Sequence, residues 1–124
     1  MNQPTIFLLE EDDDTRLLFR KMLEEKGYNV FLAVDEKDAF QRATDGLVKS
    51  DLIMINLLRK SEEEMLNFGN HLRKIANLNI PLVIIAAEYN QKLEGKTTRA
   101  GENEYVIYLG DGEELFDLLS ELIK

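Results

Sequence analysis

Short apolar segments alternate with amphipathic segments along the chain, and this alternation restricts the possible folds more than any other feature. Each apolar segment is a near-continuous run, as is typical of parallel strands that are covered on both faces. Five such runs predict strands: Thr5–Leu9, Val30–Val34, Leu52–Ile55, Leu82–Ala87 and Tyr105–Leu109. A helical pattern follows each strand, in Asp14–Lys26, in a segment capped by Asp35, in Ser61–Ala76, between Asn90 and Ala100, and in Glu113–Ile123.

Strand–helix units in this succession predict a doubly wound (βα)5 fold, in which one parallel sheet lies between two layers of helices. We expect the flavodoxin-like strand order 2-1-3-4-5. In a sheet of this order, ligands bind outside the carboxyl ends of the first and third strands. Residues that follow those two strands are therefore the first candidates for a functional site.

Residues at the predicted helix ends support these boundaries. Gly27 is expected to end the first helix, and Ser61 with Glu64 has the pattern of a capping box at the start of the third. From the spacing of apolar residues, we expect two groups to face the core: Leu18, Met22 and Leu23 of the first helix, and Ala39, Phe40 and Ala43 of the second.

The composition fits a single domain, residues 1–124. The chain has 124 residues, 44% of them hydrophobic, which is enough for one core. Its formal net charge of −9 disfavours direct nucleic-acid binding and favours a protein partner with a basic face, although the same charge would also serve solubility alone. Cysteine is absent and the apolar runs are too short to cross a membrane, so we expect a cytoplasmic protein without membrane association.

The two segments at the expected crevice carry an unusual set of side chains. The first strand is followed by an unbroken acidic run, Glu10 to Asp14, and the third strand ends in Asn56. An Asp at that strand end would be a nucleophile or a metal ligand, but an Asn amide has no anionic oxygen for either task. The fold is arranged for a reaction whose reacting atom is missing.

The acidic run has two interpretations. Asp12, Asp13 and Asp14 fit the start of a helix, where negative charge complements the helix dipole. Glu10 and Glu11 lie at the strand end itself, where two neighbouring carboxylates could hold a divalent cation.

Several segments of the chain resemble the receiver domain of bacterial two-component response regulators, and the resemblance covers essentially the whole chain. The segments that carry it are Ile6–Asp12 with Arg16, Lys26–Val30, Asp51–Asn56, Ile80–Ile85, and Gly101–Tyr105 with Asp111–Leu115. The resemblance implies the doubly wound fold and a place in two-component signal transduction.

The resemblance also implies which positions would carry phosphorylation chemistry, and three of them hold unsuitable residues. The phosphoryl-accepting Asp falls on Asn56, the Thr or Ser after the fourth strand on Ala86, and the Lys after the fifth strand on Tyr108. The resemblance therefore identifies a pseudo-receiver with a degenerate phosphorylation site.

The remaining family positions are retained in part. The acid pair falls on Glu10 and Glu11, and Leu58 falls where a backbone carbonyl helps to bind Mg²⁺, so magnesium is possible there but weak and not required. The switch aromatic of the family falls on Tyr105, which marks the face used for output.

Three functions follow from these observations. The first is a phosphorylation-independent signalling module, not an enzyme, that binds a histidine kinase or an output protein. The second is a working phosphorelay receiver with an unusual acceptor. The third is a small-ligand or metal-binding domain that uses the crevice at Glu10 and Glu11. Phosphoryl chemistry at Asn56 distinguishes the first two, and ligand binding in the crevice tests the third.

Overall fold

A computed structural model describes residues 3–57, 59–86, 92–110 and 112–123, without the side chain of Val48. In this part of the chain the strands are β1 (Thr5–Glu10), β2 (Asn29–Ala33), β3 (Leu52–Asn56), β4 (Leu82–Ile85), β5 (Thr97–Arg99) and β6 (Glu104–Ile107). The helices are α1 (Asp13–Glu25), α2 (Glu36–Thr44), α3 (Glu62–Ala76) and α4 (Glu113–Leu122), with one 3₁₀ turn at Leu47–Lys49.

The strands form one sheet in the order β2-β1-β3-β4-β6-β5. All neighbours are parallel except β5, which is antiparallel to β6 at the edge. The strands predicted from the sequence correspond to β1, β2, β3, β4 and β6, and their order in the sheet is the predicted one. The three-layer α/β fold is therefore confirmed, with one additional strand.

Alternate residues of each of the five parallel strands belong to two separate cores. On β1, Phe7 and Leu9 pack toward α2 and α3, whereas Ile6 and Leu8 pack toward α1 and α4. All four side chains have no exposed surface. Burial on both faces explains why the strands are continuous apolar runs rather than alternating ones.

The predicted helix ends are present. The Asp12 side chain caps α1, the Asp35 side chain caps α2, and Ser61 forms a capping box with Glu64 at the start of α3. Gly27 follows α1 with a φ of 96°, a left-handed conformation that favours glycine after a helix.

The helix expected between Asn90 and Ala100 is wrong in its described part. Residues 92–95 form a turn, and Thr97–Arg99 is the edge strand β5. Gly95 has a φ of 76°, which interrupts a helix, and the β-branched pair Thr97 and Thr98 favours extended backbone. Residues 90 and 91 lie outside the described part.

Two side chains that were expected in the core are largely exposed. Leu18 is 58% exposed and Phe40 is 45% exposed. Leu23 of α1 and Ala39 and Ala43 of α2 are buried as expected, and the buried side of α1 is completed by Phe19 in place of Leu18. The exposed ring of Phe40 instead lies 5.6 Å from the ring of His71 on α3, measured between centroids.

Candidate functional site

The ends of β1 and β3 bring Glu10 and Asn56 into direct contact. The two residues are register partners on adjacent parallel strands. The Asn56 Nδ2 group donates a hydrogen bond of 2.6 Å to Glu10 Oε1. Glu10 has no exposed surface, whereas Asn56 is partly exposed. The crevice expected from the strand order therefore contains a carboxyl–amide pair.

The second oxygen of Glu10 is also engaged. Glu10 Oε2 accepts a hydrogen bond of 3.1 Å from the backbone N–H of Asp12. Burial raises the pKa of the Glu10 carboxyl above its ordinary value, because the charged form loses hydration, and the hydrogen bonds from Asp12 and Asn56 offset part of this shift. Glu10 is thus a buried acid held by a backbone donor at the N-cap of α1 and a side-chain donor on the neighbouring strand.

The rest of the acidic run serves the start of α1. Asp12 Oδ2 accepts from the backbone N–H of Thr15 at 2.8 Å and from its hydroxyl at 2.7 Å. These two hydrogen bonds hold the pKa of Asp12 below its ordinary value. Asp13 pairs with Arg16, whereas Glu11 is exposed. The helix-capping interpretation of this run is confirmed for Asp12.

Arg16 and Lys60, two cations on neighbouring segments, form no ion pair with the Glu10 carboxylate. Arg16 donates to the backbone oxygen of Glu10 at 2.8 Å and pairs with Asp13. Lys60 lies 3.6 Å from Glu36 and 3.8 Å from Glu64, both on the helical layer. The Asn56 amide is therefore the side-chain donor to Glu10 in the described part of the chain.

Ala86 and Tyr108, the other two positions that the resemblance marks as degenerate, also have defined neighbours. Ala86 follows β4, and its backbone N–H donates to the oxygen of Ile107 at 3.0 Å. Tyr108 follows β6, and its hydroxyl donates a hydrogen bond of 2.8 Å to Glu62 at the first turn of α3. Burial raises the pKa of Tyr108, and the hydrogen bond and the charge of Glu62 raise it further. Sequence reasoning missed Glu62, which lies one residue after the capping Ser61.

These residues fit a divalent cation poorly. Each carboxylate oxygen of Glu10 already accepts a hydrogen bond, and Asn56 presents its N–H₂ group to Glu10 rather than an oxygen to a cation. Within the described ranges, no cluster of three or more acidic, histidine or cysteine side chains could hold a metal ion. Leu58 lies outside those ranges, and weak Mg²⁺ binding at Glu10 and Glu11 stays a prediction.

The additional strand β5 lies beside Tyr105, the residue that the resemblance places on the output face. Tyr105 is half-buried and pairs in register with Arg99 of β5. A groove of about 370 Å³ runs between this edge of the sheet and α4.

None of the described helices has the length and apolar character needed to cross a membrane.

Comparison with known proteins finds relatives by structure alone. No protein-family model and no curated protein matches the sequence. A response regulator receiver domain protein from Bacillus halodurans has a TM-score of 0.72 to this chain, with 15% sequence identity over 99% of both chains. The chain has the receiver fold. At such low identity, the likeness establishes the fold and not the activity.

Two further solved structures have the same fold. The response regulator TrrA from Thermotoga maritima, solved in complex with Mg²⁺-BeF, has a TM-score of 0.70 and 18% identity over 98% of this chain and 100% of that chain. TrrA has also been solved in complex with the histidine kinase ThkA. The pseudo-receiver domain of CikA has a TM-score of 0.62 and 20% identity over 98% of both chains. The receiver fold thus occurs in both response regulators and a pseudo-receiver.

Proposed function

We propose that this chain is a receiver-like signalling module that acts by binding protein partners, without a phosphorylation cycle and without enzymatic activity. One observation carries the proposal. At the position where the receiver resemblance places the phosphoryl acceptor, the Asn56 amide donates a 2.6 Å hydrogen bond to the buried Glu10.

The chemistry of Asn56 supports this proposal directly. Forming an acyl phosphate requires a carboxylate oxygen that attacks phosphorus. Asn56 has no such oxygen, and its Nδ2 group is already bound to Glu10. A phosphoryl donor that approached this point would also meet the carboxyl oxygens of Glu10.

The positions that would stabilise a transferred phosphoryl group support it as well. Ala86 has no hydroxyl to donate to a phosphoryl oxygen, and Tyr108 has no positive charge to neutralise one. The Tyr108 hydroxyl donates instead to Glu62, whose carboxylate adds negative charge on this side of the crevice. We therefore propose that Mg²⁺ is not required and binds weakly.

The partner that we propose is a protein with a basic face, either a histidine kinase or an output protein. The formal net charge of −9 favours such a partner over nucleic acid or a membrane surface. The contact face would include Tyr105 and α4, and the working location would be the cytoplasm.

Intact-mass measurement after incubation with acetyl phosphate and Mg²⁺ tests the proposal. We expect no mass gain in the unaltered protein. A receiver domain that does accept phosphoryl groups, present in the same reaction, verifies the donor. A gain of one phosphoryl group that mild base removes would overturn the proposal and favour an unusual acceptor.

A further inference from the structure

The strand β5 presents backbone hydrogen-bonding groups at the edge of the described sheet. The Tyr108 N–H donates to Lys96 O at 2.9 Å, and the Ala100 N–H donates to Glu104 O at 2.8 Å. Because backbone bonding alternates along an antiparallel pair, residues 96, 98 and 100 face β6. The N–H and C=O groups of Thr97 and Arg99 therefore point away from β6. All three β5 residues are exposed.

A groove with one acidic wall lies beside this edge. Its volume is about 370 Å³, and Tyr105 and Leu118 line it together with Asp117 and Glu121 of α4. Asp117 and Glu121 are four residues apart, so they lie on one face of the helix. Neither carboxylate forms an ion pair within the described part of the chain.

The other two charged residues of the groove are engaged locally. The Arg99 guanidinium donates to the backbone oxygens of Gly101 and Glu102 in the turn between β5 and β6, at 2.9 and 2.5 Å. The Glu114 carboxylate accepts from the backbone N–H of Gly110. Asp117 and Glu121 are thus the charges that the groove offers to a partner.

We propose that an extended, basic segment of a partner protein adds as a strand to β5, with Lys or Arg side chains reaching Asp117 and Glu121. This proposal rests on the proposed function, because it specifies the chemistry of the partner. Strand addition obtains affinity from backbone hydrogen bonds and specificity from alternate side chains. A neighbouring strand lies about 4.8 Å beyond β5, a distance that long basic side chains can span.

A second copy of this chain is a less suitable occupant than a basic segment. Two copies would each bring a formal charge of −9, and like charges repel during encounter. A partner with alternating basic residues complements the acidic wall instead. Pairing between the β5 edges of two copies would therefore contradict the proposal.

Peptide titration of the ¹⁵N-labelled protein, followed by NMR, tests the proposal. The probe is acetyl-Lys-Val-Lys-Val-Lys-Val-amide, and the control peptide replaces each Lys by Glu. We expect the basic probe to shift the amide signals of Thr97 and Arg99 and to slow their hydrogen exchange. The acidic peptide should leave these signals unchanged.

Three variants separate the backbone and charge contributions. Thr97→Pro removes an outward N–H that makes no bond to β6, so binding should be lost while the unfolding midpoint is kept. Thr97→Ala keeps that N–H and should bind normally. Asp117→Asn with Glu121→Gln should weaken binding roughly two- to thirty-fold, the range for two exposed ion pairs, and reduce its salt dependence.

Three results would overturn the proposal. They are equal binding by Thr97→Pro and Thr97→Ala, signal shifts confined to another face, or a dimer in sedimentation that Thr97→Pro dissociates. Phosphorylation is measured separately, so the two proposals fail independently. If the chain accepts a phosphoryl group yet binds the probe at β5, the proposed function is refuted and strand addition at β5 is still supported.

Discussion

Replacing Asn56 by Asp is the sharpest perturbation of this molecule, because it changes one donor group into a negative charge. The Asn56 Nδ2 group lies 2.6 Å from Glu10 Oε1, and Glu10 has no exposed surface. The substitution nearly conserves shape, so packing stays the same. The expected change in stability is therefore almost entirely electrostatic.

Two independent routes give the same magnitude. Two carboxylates with charge centres about 4 Å apart repel by about 4 kcal/mol at an effective dielectric constant near 20. Alternatively, one of the two carboxyls stays protonated. Keeping that proton costs about 1.4 kcal/mol for each pH unit above an ordinary carboxyl pKa of about 4. At neutral pH both routes predict that Asn56→Asp lowers the free energy of unfolding by about 4 kcal/mol.

The sign of the pH dependence follows from the shared proton. In the folded variant the pair has a raised pKa, whereas in the unfolded chain each acid titrates at its ordinary value. The variant therefore has its full stability below the ordinary carboxyl pKa range, and it loses stability as the pH rises through the raised pKa of the pair. We expect the difference from the unaltered protein to shrink steadily from neutral to acidic pH.

Urea unfolding at several pH values measures this difference. Asn67→Asp is the matched control, because Asn67 is exposed on α3 and its substitution adds the same charge at the surface. The reasoning fails if both variants unfold at the same urea concentration at neutral pH. Such a result would mean that the Asn56 amide does not face the Glu10 carboxylate.

Three further predictions concern the same site and the contact face. Because burial raises the pKa of Glu10, the Glu10→Gln variant should be more stable than the unaltered protein at neutral pH and equally stable in acid, as measured by urea unfolding. The control variant Glu11→Gln changes an exposed acid and should alter the unfolding midpoint little. Tyr108→Phe should lower the free energy of unfolding by about 1 kcal/mol, and a double-mutant cycle with Glu62→Ala should recover that amount as coupling. Tyr105→Ala should lose partner capture from native extract while Gln41→Lys on α2 keeps it, and the reverse result would place the contact face wrongly.

The sheet was predictable because burial on both faces leaves long apolar runs in the sequence. The contact between Glu10 and Asn56 was predictable for a related reason, since adjacent parallel strands that end together must bring their last residues together. The predicted helix between residues 90 and 100 failed because its weak periodicity competes with Gly95 and with two β-branched threonines. Pairing with β6 adds a contribution from residues that lie outside the local pattern.

Side-chain directions were less accessible to sequence reasoning. Leu23 and Ala39 are buried as expected, but Leu18 and Phe40 are largely exposed. Adjacent positions on a helix differ in direction by about 100°, so the spacing of apolar residues does not fix which of two neighbours is buried. The hydrogen bond between Tyr108 and Glu62 joins residues 46 positions apart in sequence. It depends on where α3 begins relative to the end of β6, which no local pattern encodes.

A final prediction concerns positions 56 and 108 together. A Lys at 108 would lie two strand spacings from β3, roughly 10 Å, and its side chain would bring a cation nearer to the crevice. At a separation of about 8 Å and an effective dielectric constant of 20, that cation would offset about 2 kcal/mol of the repulsion that Asn56→Asp creates. Asn56→Asp combined with Tyr108→Lys should therefore be about 2 kcal/mol more stable than the sum of the single effects predicts, as measured by a double-mutant cycle in urea. Simple additivity would show that a cation at position 108 does not interact with the carboxylates at positions 10 and 56.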